Sequence, residues 1–261
     1  MTIFESTYLG ITLVMLAYLM IIHWIVPQVK SLESLNTGMI NSISSGFSLS
    51  FVFLYALPFL PSALESVSLQ VKGSFLEDIM RLGYMFSLMV LIGFASYHFL
   101  EKTFRKKASK GKELGQSFFV WHMGILMLLH FSVMFVVTTL VTIKPLFAFV
   151  FIVAMSSYFF LEEYLLKEYF LGKHRYLSRF LVSLALALGW VCGILMLQSQ
   201  SALVLLLVGG FISGAILMNI FRIEFYASDG VSHIASFLIT LAISSVVILG
   251  LLFIEKDFIK L

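Results

Sequence analysis

The chain has 261 residues, of which 60% are hydrophobic and 12% charged, with a formal net charge of +3. A soluble protein of this composition would expose large apolar patches, and a nucleic-acid-binding protein would concentrate more basic residues on one face. Its one cysteine, Cys192, excludes a disulfide framework and a cysteine-based metal cluster. The composition predicts a polytopic membrane protein whose partner is the lipid bilayer.

Eight apolar runs follow one another along the chain. A helix that crosses the hydrocarbon core of a bilayer needs about 20 mostly apolar residues, and the runs are too long and too continuously apolar for barrel strands. They lie at 8–26, 39–60, 82–100, 117–142, 145–162, 179–198, 201–221 and 234–254. They leave no room for a soluble domain, so we expect residues 1–261 to form a single all-α integral membrane domain with eight transmembrane helices.

The ends of the runs carry specific signals. The first run is not typical of a cleaved signal peptide, since only Glu5 is charged before it and no small-residue cleavage site follows. Trp24 fits the aromatic belt at a membrane surface, and Pro27 ends the run. Pro145 begins the fifth run at a helix N-terminus, where proline is tolerated. The fourth and fifth runs are therefore joined by a very short turn at Lys144.

The distribution of lysine and arginine predicts the orientation, because cytoplasmic loops carry an excess of these residues. With the N-terminus outside, twelve of the 17 fall on the cytoplasmic side, and six of these twelve lie in the segment 101–116. We therefore expect a multi-pass protein of the cell inner (plasma) membrane with both termini outside the cytoplasm. The segment 101–116 either binds anionic lipid headgroups or is a solvated loop that only fixes this orientation.

The second and seventh runs share a pattern of small residues. The aligned stretches are residues 44–50 and 208–214. Gly210 and Gly214 form a GxxxG pair, and Gly46 with Ser50 is its counterpart. Such faces let helices approach closely in lipid, as packing seams within one chain or between the copies of a homodimer. The alignment also predicts that helices 1–3 repeat as helices 6–8 in inverted orientation, as in many secondary transporters.

Ionisable residues inside a membrane span are costly and therefore mark candidate sites. His130 is the most prominent, since it lies near the middle of the fourth run. It is either a structural histidine bonded to a neighbouring helix or a ligand for a metal or proton, for which a second ligand would be needed. A transport pathway that includes His130 would also pass Ser45, Ser157 and Asn219, on the second, fifth and seventh runs.

Enzymatic chemistry has little support. A metal-dependent membrane hydrolase needs histidine and aspartate ligands on converging helices, and no aspartate lies inside any run. Serine and histidine are present, but without a recognisable nucleophile motif. We therefore expect that the chain is not an enzyme.

Several stretches match the pattern of a known family. They are 45–58, which ends in Leu-Pro, 161–164 to 176–180, 189–190, and 209–219 with its following Arg222 and Glu224. The layout resembles the ZIP (Zrt/Irt-like) family of divalent-metal transporters, and most closely uncharacterised bacterial ZIP-like membrane proteins. The resemblance implies a 3+2+3 arrangement with inverted repeats of helices 1–3 and 6–8, and a metal site on helices 4 and 5.

The metal-site motifs of that family are only partly retained. Helix 4 of the family carries His-Asn-x-x-Asp-Gly, whereas this chain reads HFSVMF from His130 onward. Helix 5 carries His and Glu four residues apart, and here Tyr158 with Glu162, or Phe159 with Glu163, keeps only the acid. The resemblance implies a divalent-cation transporter with a degenerate metal site, for which His130 and Glu163 are the candidate ligands. The alternative is a non-transporting ZIP-like protein with a sensing, lipid-binding or scaffold role.

Overall fold

The part of the chain that the computed structural model describes comprises residues 3–25, 28, 37–58, 84–108, 116–143, 145–169, 175–196, 202–226 and 233–258. Nearly all of it is helical. The helices are α1 (Ile3–Ile25), α2 (Thr37–Phe51), α3 (Tyr84–Ala108), α4 (Gln116–Ile143), α5 (Pro145–Tyr169), α6 (Arg175–Leu195), α7 (Ala202–Tyr226) and α8 (Ile234–Phe258). A π-helical segment, Val52–Ala56, extends α2. The prediction of an all-α protein is confirmed for these residues, and α5 begins at Pro145 as expected.

Six of these helices contain stretches long and apolar enough to cross a membrane. They lie in α1, α2, α4, α6, α7 and α8. The apolar stretches of α3 and α5 are shorter, Tyr84–Leu100 and Ala148–Phe160. Large apolar side chains also cover the outer surface, most densely on α1, α6 and α8. The structure is therefore that of a multi-pass α-helical membrane protein.

Helices α3 and α7 touch through their backbones. A Cβ atom added at Gly214 would collide with the carbonyl oxygen of Val90, and one added at Gly210 would lie 2.9 Å from that of Phe86. Gly93 of α3 meets the carbonyl oxygen of Phe211 in the same way. Because the contacts advance by four residues on both helices, α3 and α7 run parallel.

Helices α2 and α8 form a second seam of the same kind. A Cβ atom at Gly46 would lie 2.6 Å from the carbonyl oxygen of Phe237. One turn later, the Ser50 hydroxyl donates to the Leu241 carbonyl at 3.0 Å, and the Ser244 hydroxyl donates to Ser50 at 2.7 Å. These contacts also advance together, so α2 and α8 are parallel.

Helices α4 and α6 form the third seam. Gly189 lies against the carbonyl oxygen of Phe131, and Gly193 lies against Thr138 and Phe135. These two helices are again parallel. The three seams bring together helices that are distant in the sequence and leave α4 and α5 at the centre of the bundle, where most of α4 after Leu129 is buried.

The GxxxG face of α7 packs against another helix of the same chain. Gly210 and Gly214 both contact α3, so this face is not free for a second copy. The prediction of a packing seam is correct here, and a homodimer would need another surface.

Side-chain hydrogen bonds join helix α1 to the bundle. The Tyr8 hydroxyl donates to the Thr138 carbonyl at 2.6 Å. The Trp190 indole N–H donates to the Thr12 hydroxyl, and the Trp24 indole N–H donates to a serine of α6, both at 3.1 Å. Because Trp24 contacts an earlier residue of α6 than Thr12 does, α1 runs antiparallel to α6, and its first half is also bonded to α4 through Tyr8.

Substitution of Gly214 by alanine is expected to loosen the α3/α7 seam, because the new methyl group would meet backbone that cannot rotate away. Overpacking of this kind costs about 1–3 kcal/mol. Gly209→Ala is the matched control, since nothing lies within 4 Å of a Cβ at that position of the same helix. Thermal unfolding of the two variants in detergent should show a lower midpoint for Gly214→Ala alone, and equal midpoints would contradict the seam.

Candidate functional site

The polar centre of the bundle is built around His130, which is completely buried in α4. Its ring stacks on the ring of Phe159 of α5, with centroids 4.0 Å apart and planes 15° apart. The ring of His23, from the last turn of α1, packs against both, at 4.7 Å from His130 and 5.1 Å from Phe159. Three helices therefore fix the orientation of the His130 imidazole.

The hydrogen bonds of His130 determine which nitrogen carries a proton. Its Nδ1 lies 2.7 Å from the carbonyl oxygen of Leu126, one turn earlier in α4. A carbonyl only accepts hydrogen bonds, so we assign the proton of the neutral ring to Nδ1. The lone pair of Nε2 is then free to bind a cation, the arrangement usual for histidine that binds a metal.

A carboxylate faces this nitrogen. The Oε2 atom of Glu162 in α5 lies 3.5 Å from His130 Nε2. In the assigned tautomer Nε2 is an acceptor, as are the oxygens of an ionised carboxylate, so the pair can bind a cation between them. The separation exceeds the usual hydrogen-bond range of about 2.7–3.2 Å and is close to the roughly 3.3 Å between two ligands of a tetrahedral zinc ion.

Two further polar groups complete the centre. The Tyr158 hydroxyl donates to the other carboxylate oxygen of Glu162 at 3.4 Å. Arg179, at the start of α6, is also buried and is close enough to His23 to interact with it electrostatically. The centre thus combines side chains from α1, α4, α5 and α6.

The other residues predicted to line a pathway, Ser45, Ser157 and Asn219, lie on α2, α5 and α7. Ser45 is buried in α2, and Asn219 is buried in α7. Ser44, the neighbour of Ser45, donates to the carbonyl of Ser157 at 3.2 Å and so joins α2 to α5. Among the described residues, no hydrogen bond joins Ser45, Ser157 or Asn219 to His130, whose Nδ1 bonds within α4, and the pathway through these four stays a prediction.

The carboxylate beside His130 is that of Glu162. The side chain of Glu163, the ligand proposed from the sequence, lies outside the described residues, so that prediction stays open. Sequence reasoning missed the roles of His23 and Arg179. The available signal was that His23 is the one histidine of the first run and that Arg179 begins the apolar part of the sixth.

A small cavity lies apart from this centre. It measures about 40 Å³ and is bounded by α2 with its π-helical segment, α3, α4, α5 and α7. Its lining is mostly apolar, and its α4 residues are Val136 and Leu140. These follow His130 by six and ten residues, which is roughly 9–15 Å along the helix. The cavity therefore belongs to the other half of the bundle.

Within the part of the chain that the structure describes, no group of three or more histidine, cysteine, aspartate or glutamate side chains is arranged to hold a metal ion. No protein-family model, curated protein or solved structure matches the chain.

Phe159→Ala is expected to destabilise the fold and release the His130 ring, because Phe159 is completely buried against both histidines. Removing a buried phenylalanine side chain costs about 3–5 kcal/mol. Phe149→Ala is the matched control, since Phe149 lies in the same helix with 59% of its surface exposed. Thermal unfolding in detergent measures the difference, and a midpoint for Phe159→Ala as high as that of the control would contradict the packing described here.

Proposed function

We propose that the chain is an eight-helix ZIP-like membrane protein that transports a divalent cation, bound on its way by His130 and Glu162. The observation that carries this proposal is the pair of facing acceptors, His130 Nε2 and Glu162 Oε2, 3.5 Å apart in the interior. An imidazole nitrogen and a carboxylate oxygen suit borderline dications such as zinc. Two protein ligands also leave coordination positions for water, as expected for an ion that must be released.

The helix directions support eight crossings in alternation. In such a bundle, helices separated by an odd number of others cross in the same direction. The three parallel pairs, α2/α8, α3/α7 and α4/α6, all meet this condition. We therefore propose that α3 and α5 also cross, despite their shorter apolar stretches.

The seams also support the repeat of helices 1–3 as helices 6–8. Gly46 of α2 faces Phe237 of α8, and its aligned partner Gly210 of α7 faces Phe86 of α3. One turn later, Ser50 faces Leu241, and Gly214 faces Val90. Each second helix of a triplet therefore packs on the third helix of the other triplet. With alternating crossings the triplets are inverted, and the basic residues favour termini outside the cytoplasm of a bacterial plasma membrane.

Arg179 favours a second candidate function, a non-transporting relative that keeps the packing. It contributes a permanent positive charge close to His23, whose ring contacts that of His130. A fixed cation near the site repels a dication and lowers its affinity. In this case the centre would be a structural polar network.

Uptake of first-row divalent cations into proteoliposomes distinguishes the two candidates. We expect uptake by the unmodified protein and a reduction of at least about tenfold in Glu162→Gln and in His130→Ala, because each loses one of the two ligands. Glu163→Gln is the matched control, since it removes the neighbouring carboxylate with the same change of charge. No uptake of any dication by the unmodified protein would exclude transport, and equal uptake by Glu162→Gln would exclude this site.

A further inference from the structure

We propose that the C-terminal part of α3, residues 101–108, binds the headgroups of anionic lipids. This inference depends on the proposed crossing of the membrane by α3 and is independent of what the polar centre binds. Residues 101–108 are basic, and they have no role in the proposed cation transport.

The level of the membrane surface along α3 follows from its contact with α7. Val90 lies against Gly214, and the two helices run parallel, so that residue 100 of α3 is level with about residue 224 of α7. Phe94 and Phe221 are in edge-to-face contact, which agrees with this register. Both helices change from apolar to charged within one turn of this level, at Glu101 in α3 and at Arg222 in α7.

Helix α3 continues beyond this level without a break. Its apolar stretch ends at Leu100, whereas the helix ends at Ala108. Eight further residues extend it by about 12 Å, which is more than the roughly 5–8 Å depth of one headgroup layer. The extension therefore passes through the headgroup layer of the membrane.

The charge of this extension is strongly positive. It contains Lys102, Arg105, Lys106 and Lys107 but only one acidic residue, Glu101. The other helices that end on the same side differ: α7 carries one basic and one acidic residue after Phe221, and α5 carries three acidic residues and one basic residue from Glu162 onward. Among the helices that end on this side, positive charge is thus concentrated on α3.

Orientation alone does not require this arrangement, since basic residues in an irregular loop would also fix it. A helix holds its four basic residues at fixed distances from the membrane surface. Lys102 is exposed at the point where the apolar stretch of α3 ends. Each basic residue near an anionic surface strengthens binding roughly fivefold. The negative end of the helix dipole adds to the preference for cations at these positions, but it does not select a lipid.

Energy transfer from tryptophan to a dansyl-labelled lipid in nanodiscs tests the proposal. Two of the three tryptophans, Trp24 and Trp121, lie near the ends of α1 and α4 on this side. The full chain is incorporated into phosphatidylcholine nanodiscs that contain either dansyl-phosphatidylglycerol or dansyl-phosphatidylcholine. We expect stronger transfer to phosphatidylglycerol, and a loss of this preference when sodium chloride is raised from about 0.05 to 0.5 M, because salt screens exposed charges.

Two variants with the same change of charge locate the effect. K102Q/R105Q/K106Q/K107Q should weaken the apparent affinity for phosphatidylglycerol at least about tenfold. K72Q/R81Q/K256Q/K260Q, which removes four basic residues predicted to lie on the opposite side, should retain it. An equal loss in both variants, or no preference in the unmodified protein, would overturn the proposal. If the first variant does not fold, the salt dependence of the unmodified protein decides, because a preference unaffected by salt also overturns it.

Discussion

The architecture depends on direct contact between helix backbones. In lipid, burial of apolar surface does not drive one helix onto another, so association relies on close packing and on polar contacts. Gly214 and Gly93 bring the backbones of α3 and α7 together, and Gly46 does the same for α2 and α8. These seams fix the rotation of the outer helices, and the rotation in turn encloses α4 and α5. A buried imidazole at the centre is a consequence of this enclosure.

The sequence was sufficient to predict the helices and the small-residue faces of α2 and α7, because both follow from local patterns, whereas the α4/α6 seam at Gly189 and Gly193 was not predicted. Apolar runs of fixed length predict the helices, Pro145 marks the start of α5, and the spacing of Gly210 and Gly214 marks a contact face. The sequence did not identify the helix that covers this face. A small-residue face fits a helix of the same chain as well as one of a second copy, and only the tertiary structure assigns it to α3.

The candidate site was predictable only in part, because it combines residues far apart in the sequence. His130 is conspicuous in an apolar run, but its contact with His23 depends on how α1 packs across α4 and α5. Which glutamate of α5 lies beside His130 depends on the rotation of α5 about its own axis. Glu162 and Glu163 point about 100° apart on a helix, and the sequence does not give the rotation of α5 within the bundle. The structure assigns Glu162 to His130.

The balance of buried charge bears on how tightly the proposed site would hold a cation. Among the described residues, Glu162 and Arg179 are the only buried side chains with a full charge at neutral pH, apart from any charge on histidine. Their charges cancel, so a dication at His130 would add two positive charges to a neutral interior. A permanent structural metal would need more carboxylates to offset that cost. A transported ion needs weaker binding, because it must leave the site as readily as it enters. The single carboxylate beside His130 therefore fits the proposed transport better than it fits a permanent structural metal, and the buried guanidinium of Arg179 would lower the affinity for a cation further.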